Sequence, residues 1–83
     1  PRADVYALAA TIYNCTTGRA FFDEIDNNRD RIIAHMNRDP FEDPERLKSY
    51  PTAVAKLLRA ATAQRPQDRP MPLEFGKLFG DAL

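Results

Sequence analysis

The segment from Asp4 to Thr17, DVYALAATIYNCTT, constrains the fold more than any other part of the chain. Val5, Leu8, Ala9 and Ile12 fall at i, i+3, i+4 and i+7, which is one helical face. Tyr6, Ala10 and Tyr13 take the opposite face, where a surface helix would carry Lys and Glu. After Asp4 the segment holds no charged residue. A helix that is apolar all round belongs inside a core or a membrane. The run is well short of the ~20 apolar residues that a membrane span needs. The expectation is therefore a central helix buried on all sides. Little chain is left to bury it, because 83 residues hide only about 60–65% of their unfolded surface. The pattern predicts a part of a larger body.

Charge narrows the function classes. Twelve basic residues balance twelve acidic ones, whereas a dedicated nucleic-acid binder carries a basic surplus to neutralise phosphates. A single cysteine, Cys15, cannot form an internal disulfide, so the fold does not require an oxidising compartment. No signal-peptide pattern, lipidation motif or basic membrane-surface stretch is legible. These features predict a cytoplasmic helical piece with no nucleic-acid and no membrane contact.

Four helices account for most of the chain. The first ends at Thr16-Thr17-Gly18, where Gly18 can take the left-handed cap conformation. Phe21 and Phe22 should pin the following connector to the core. Asp26 or Asn27 can cap a second helix, whose apolar face is Ile32, Ile33 and Met36 and whose wet side is Arg29, Asp30 and Asn37. Residues 38–50 read as an exposed, densely charged linker with two Asp-Pro steps, each biasing its Asp away from helix. One turn after Pro44 is expected there, capped by Asp43, with Leu47 tucked inward. Pro51 suits the first position of a third helix, with Val54, Leu57, Leu58 and Ala61 on one stripe and Lys56 and Arg59 facing water. Residues 64–70 break the pattern. Pro72 then opens a last helix lined by Phe75, Leu78, Phe79 and Ala82, in which Gly76 costs roughly 1 kcal/mol against Ala. No alternating run is long enough for a sheet, so the class is all-α.

Few residues suggest chemistry. Asp4 reads as an N-cap or first-turn acid favoured by the helix dipole, or as a carboxylate accepting backbone N–H groups from another segment. Arg69, held between two prolines, reads as a solvated loop arginine or as half of a buried ion pair, since its planar fork matches a carboxylate. Asp68 is badly placed to serve, so that partner would lie elsewhere, outside this chain if need be. His35 has no second ligand at metal-site spacing and reads as a surface histidine. Cys15, near a helix C-terminus that disfavours a thiolate, reads as a small core residue. The acidic groups Asp23-Glu24-Asp26 and Glu42-Asp43-Glu45 lack the glycine and spacing of a calcium loop and read as solvated faces. No phosphate loop, Ser or Cys paired with His, or general acid–base pair can be assembled. The chain should contain no catalytic, cofactor-binding or metal site.

Two motifs nevertheless resemble a known family. Ala3-Asp4-Val5-Tyr6-Ala7-Leu8-Ala9, followed by Ile12-Tyr13 and Thr17-Gly18-Arg19, is similar to the central helix of the protein-kinase C-lobe. Phe21-Phe22 sits where that family usually has Pro-Phe. Pro66-Gln67-Asp68-Arg69-Pro70 resembles its Pro-x-x-Arg-Pro, which precedes the final helix. The order and spacing also match, so the resemblance covers residues 1–83, from the αF to the αI helix of that lobe. It implies an all-α architecture of four main helices forming the lower part of a kinase-like C-lobe. By the same resemblance Asp4 holds the backbone of the catalytic loop. Arg69 pairs with the glutamate of the Ala-Pro-Glu motif. Arg29, Ile33, Met36 and Asn37 on the second helix are candidates for docking a protein substrate or regulator.

All other partners implied lie upstream, in the remainder of the kinase domain. The Gly-rich loop, the ATP-anchoring lysine, the His-Arg-Asp loop and the Asp-Phe-Gly metal site are not in this chain. ATP and magnesium are expected only of an active parent, which would phosphorylate Ser or Thr. Three positions depart from the pattern. Ala9 replaces a preferred Gly, and Arg65 replaces Asp or Asn. Met71 replaces a capping Ser or Thr, at a cost of ~1 kcal/mol. These departures leave a pseudokinase scaffold as an alternative. A second alternative is an autonomous four-helix interaction module, which at this length would have ~4–12 kcal/mol of stability of its own.

Overall fold

The computed structural model describes residues 2–82. Its elements are α1 (Arg2–Thr17), α2 (Asn28–Asn37), a 3-10 turn (Pro44–Leu47), α3 (Thr52–Ala61), a second 3-10 turn (Pro66–Asp68) and α4 (Pro72–Ala82). The fold is all-α with four main helices, and no strand occurs among the described residues. No helix among them is long and apolar enough to cross a membrane.

The boundaries follow local chemistry. Gly18 stops α1 with φ +74°, a conformation that costs a residue with a Cβ about 1–2 kcal/mol, and its N–H bonds the Asn14 carbonyl at 2.8 Å. Of the two candidates for the α2 cap, Asn27 takes the role, its Oδ1 accepting from the N–H groups of Arg29 at 2.8 Å and Asp30 at 3.3 Å. Asp43 caps the Pro44 turn by accepting from the Glu45 N–H at 3.0 Å. Pro51 lies one position earlier than expected, as the N-cap of α3. Proline has no N–H to satisfy, so either place suits it. Met71 supplies only its carbonyl to α4, accepting from the Phe75 N–H at 2.8 Å.

The core forms where α1, α3 and α4 meet the connector. Val54, Leu57, Leu58 and Ala61 of α3 are all buried, and Lys56 and Arg59 are exposed. On α4, Phe75 is buried and Phe79 stacks on it with ring centroids 6.0 Å apart. Leu78, expected on that face, is exposed. Tyr13, Phe21 and Phe41 form an aromatic triangle with centroid separations of 5.2 to 5.6 Å, within the range where edge-to-face rings attract.

Two helices depart from expectation. α1 is not enclosed on all sides. Val5, Ala9 and Tyr13 are buried, with Tyr6, Ala10 and Ile12 beside them, while Ala3, Asp4, Ala7, Leu8, Thr11, Asn14 and Cys15 form an exposed arc. Within this arc Leu8 alone is large and apolar, because most of the segment's uncharged residues are small and their exposure is cheap. α2 is turned over. Ala34 is its only buried residue, and Ile32, Ile33 and Met36 are 60%, 46% and 69% exposed. On a 3.6-residue helix residues 32 and 36 lie about 160° from residue 34 and residue 33 about 100° away, so docking through Ala34 turns Ile32 and Met36 outward and leaves Ile33 on the flank.

Candidate functional site

Arg69 is the candidate residue with the most defined surroundings. The Pro66–Asp68 turn sets its backbone, with the Arg69 N–H on the Pro66 carbonyl at 3.1 Å. Its Nε donates to the Ala63 carbonyl at 2.7 Å and Nη1 to the Arg2 carbonyl at 3.4 Å. The guanidinium lies 4.9 Å from the centre of the Tyr6 ring, a favourable cation–π distance. The half-buried group is thus held by two carbonyls and an aromatic face. Among the described residues it makes no ion pair, and Asp68 turns instead to Arg65, 4.0 Å away. Arg2, whose backbone carbonyl accepts from Nη1, has its own Nε buried without a hydrogen bond among the described residues.

Asp4 stands in the first turn of α1, where a carboxylate complements the helix dipole. It is exposed, and its side chain makes no hydrogen bond or ion pair among the described residues. The first-turn role is therefore present, and the N-cap role is not, because α1 begins at Arg2. Asp4 and Arg69 are both placed near the start of α1, but no bond joins them.

The α2 candidates Arg29, Ile33, Met36 and Asn37 are all exposed. With Ile32 they follow i, i+3, i+4, i+7 and i+8 spacing along one side of the helix. Asn37 directs its amide to the Ile33 carbonyl at 3.1 Å.

Tyr6 links this helix to Arg69. Its hydroxyl is 2.8 Å from His35 Nδ1, so His35 is a half-buried bridge to α1 rather than a surface residue. Burial, partly countered by Arg69 and reinforced by Asp39, pushes the Tyr6 phenol up to about 12. Burial pushes the His35 imidazole the other way, below its ordinary value.

Two further readings need correction. Cys15 is exposed on the open arc of α1 rather than in the core. The Asp23-Glu24 pair is not simply solvated, because Arg46 reaches Asp23 at 3.4 Å and Glu24 at 3.2 Å and donates to the Tyr13 hydroxyl at 3.2 Å. The Arg19 fork binds Asp23 through Nε at 2.9 Å and Nη2 at 3.1 Å, and with Arg46 it holds that carboxyl below the usual carboxylate range. In the sequence Arg46 sits in a run of charges that reads as wet. Its place three residues after the Asp43 cap was the available signal.

Among the described residues no group of three or more His, Cys, Asp or Glu side chains could hold a metal ion. The arrangement can orient a guanidinium and present a helix face.

Comparison with known proteins points in one direction. The chain is 36% identical over 73 residues to the serine/threonine-protein kinase PknK of Mycobacterium tuberculosis, in both the CDC 1551 and H37Rv strains. The same identity over the same length relates it to the PknK of Mycobacterium bovis. In each case the match takes in 84% of this chain and 6% of the kinase, so the chain spans a small fraction of the curated relatives it matches. No family model matches, and no solved structure does. The likeness is that of a kinase-related region.

Proposed function

We propose that this chain is the lower, helical part of a protein-kinase-like C-lobe, a scaffold whose parent transfers phosphate from ATP to Ser or Thr in the cytoplasm. The observation that carries this reading is the 36% identity over 73 residues to serine/threonine kinases. The geometry gives it content. The Arg69 fork is oriented yet unpaired among the described residues, which suits a carboxylate arriving from the activation segment. Asp4 is exposed at the mouth of α1 and free to accept N–H groups from the catalytic loop. The open arc of α1 through Leu8 and Cys15 is the side that the remainder of the domain covers. ATP and magnesium are bound by that remainder, and the α2 face of Arg29, Ile33, Met36 and Asn37 meets a protein substrate or regulator.

The test is phosphate transfer by the full native polypeptide, with Arg69→Ala and Arg69→Lys compared. Losing a charged hydrogen-bonded partner of a buried carboxylate costs about 3–5 kcal/mol. Arg69→Ala should therefore sharply lower activity or soluble yield, and Arg69→Lys should restore part of it. Wild-type activity in Arg69→Ala would contradict the reading. A reading frame upstream of Pro1 with no His-Arg-Asp, Asp-Phe-Gly or Ala-Pro-Glu, intact or altered, would leave a helical interaction module instead.

A further inference from the structure

α2 is fastened by few side chains, and one of them is a histidine, the side chain whose ordinary charge change falls between pH 5 and 8. Ala34 is its only buried residue. Arg31 Nε donates to the Ile25 carbonyl at 2.6 Å, and the Arg38 guanidinium lies 5.3 Å from the Phe22 ring centre. The remaining attachment is the His35 ring. Its centroid is 5.0 Å from Phe22, 5.7 Å from Tyr6 and 6.4 Å from Phe21, and its Nδ1 is 2.8 Å from the Tyr6 hydroxyl. Phe22 reaches this place with φ 57°, a left-handed conformation that costs a non-glycine residue about 1–2 kcal/mol. The ring stack is thus maintained against a backbone preference.

We propose that His35 is a protonation-sensitive latch, holding α2 on α1 when neutral and releasing it when charged. The Tyr6 phenol, pushed up to about 12, keeps its proton throughout the neutral and mildly acid range. With the ring neutral it donates to Nδ1 in the Nε2–H tautomer and accepts from Nδ1 in the other. His35 also lines a surface cleft of about 320 Å³ with Ala10, Thr11, Asn14 and Phe21, through which protons reach the ring. Protonation makes both ring nitrogens donors, so the phenol can then only accept from Nδ1, and it places a full charge among the uncharged rings of Phe22, Tyr6 and Phe21.

The surroundings do not compensate an imidazolium. From α1 the facing group is Tyr6, with the Arg69 cation against its ring. Phe21 and Phe22 of the connector are uncharged, and beyond Phe22 lies the Arg38 cation. From the linker, Asp39 acts on Tyr6, but its carboxylate accepts the Phe41 N–H at 2.8 Å and faces Arg59 at 4.0 Å. No carboxylate among the described residues hydrogen-bonds His35. The latched form consequently binds fewer protons than the released form, and linkage sets the sign. The latch is fully present above the ordinary histidine value of 6.5 and is lost as pH falls below it. Release frees the ring on which Arg69 rests, so the state of α2 reaches the Arg69 loop through Tyr6.

The test is amide hydrogen exchange of the full native chain, with α2 protection expressed relative to α3 in the same sample to cancel intrinsic rates. Exchange at the His35 imidazole carbon, followed by mass spectrometry of its peptide, reports the titration of that residue. Between about pH 7.5 and pH 5.5 relative α2 protection should fall by up to about tenfold, the limit for one proton with an ordinary value of 6.5. The midpoint should follow the His35 titration. His35→Phe and His35→Gln cannot titrate, so any loss of α2 protection in them should be the same at both pH values. Constant α2 protection in the wild type would overturn the proposal. So would a midpoint apart from the His35 titration, or a pH-dependent loss that persists in either variant.

Discussion

α2 and α3 are both ten residues long, and they are held in opposite ways. α3 buries Val54, Leu57, Leu58 and Ala61 along one stripe and leaves Lys56 and Arg59 in water. α2 buries Ala34 alone and leaves Ile32, Ile33 and Met36 exposed. Its attachment consists of directional contacts: the Arg31 bond to Ile25, Arg38 on Phe22, and His35 on Tyr6. Apolar burial is non-directional and scales with area, so α3 should tolerate modest geometric change. A helix held by individual polar and aromatic contacts can be released by altering one of them. The difference separates a structural half of the molecule from a responsive one.

Substitution should expose that division. The largest effect is expected at Leu58, which is fully buried. Leu58→Ala should destabilise the chain by about 2–5 kcal/mol, read as a lower denaturant midpoint with unchanged slope. Arg46→Ala comes next. Its side chain is only 14% exposed, and the change strands the Tyr13 hydroxyl and leaves Glu24 without its cation while Asp23 keeps Arg19, for a cost of about 1–3 kcal/mol. Met36→Ser on α2 should lie within about 0.5 kcal/mol of wild type. A Met36→Ser cost comparable to that of Leu58→Ala would erase the comparison, because it would mean that the outer face of α2 is buried in the working protein. That same cost appearing only in the presence of a substrate or regulatory protein would identify the docking face.

Much of this arrangement was legible in the residues. α3 follows from its stripe, Gly18 from the need for positive φ, and the Asn27 and Asp43 caps from side chains that can accept an N–H. The all-α class follows from helical spacing without strand alternation. What the pattern misplaced were orientations. For α2, periodicity placed its larger apolar residues inward, yet contacts of Ala34, His35 and Arg38 with the connector decide which side docks. For α1, small uncharged residues counted as apolar although exposing Ala3, Ala7 or Thr11 costs little. Tyr6 meets His35 across 29 positions and Arg46 meets Tyr13 across 33, and local sequence carries no signal for such contacts. Of the candidate site, the character of Arg69 as an oriented fork could be read from its flanking prolines, but its Tyr6 platform could not.

The central claim is that the open arc of α1 is an internal face of a larger kinase-like domain. Cys15 lies on that arc and is exposed in this chain, and thiol alkylation reads its accessibility directly. We would measure the alkylation rate of Cys15, mapped by peptide mass spectrometry, in the 83-residue chain and in the full native polypeptide. Covering this face should slow the reaction by about tenfold or more in the native polypeptide, since buried thiols are inert until local opening. Equal rates in the two would show that the arc faces solvent in both, and would contradict the account.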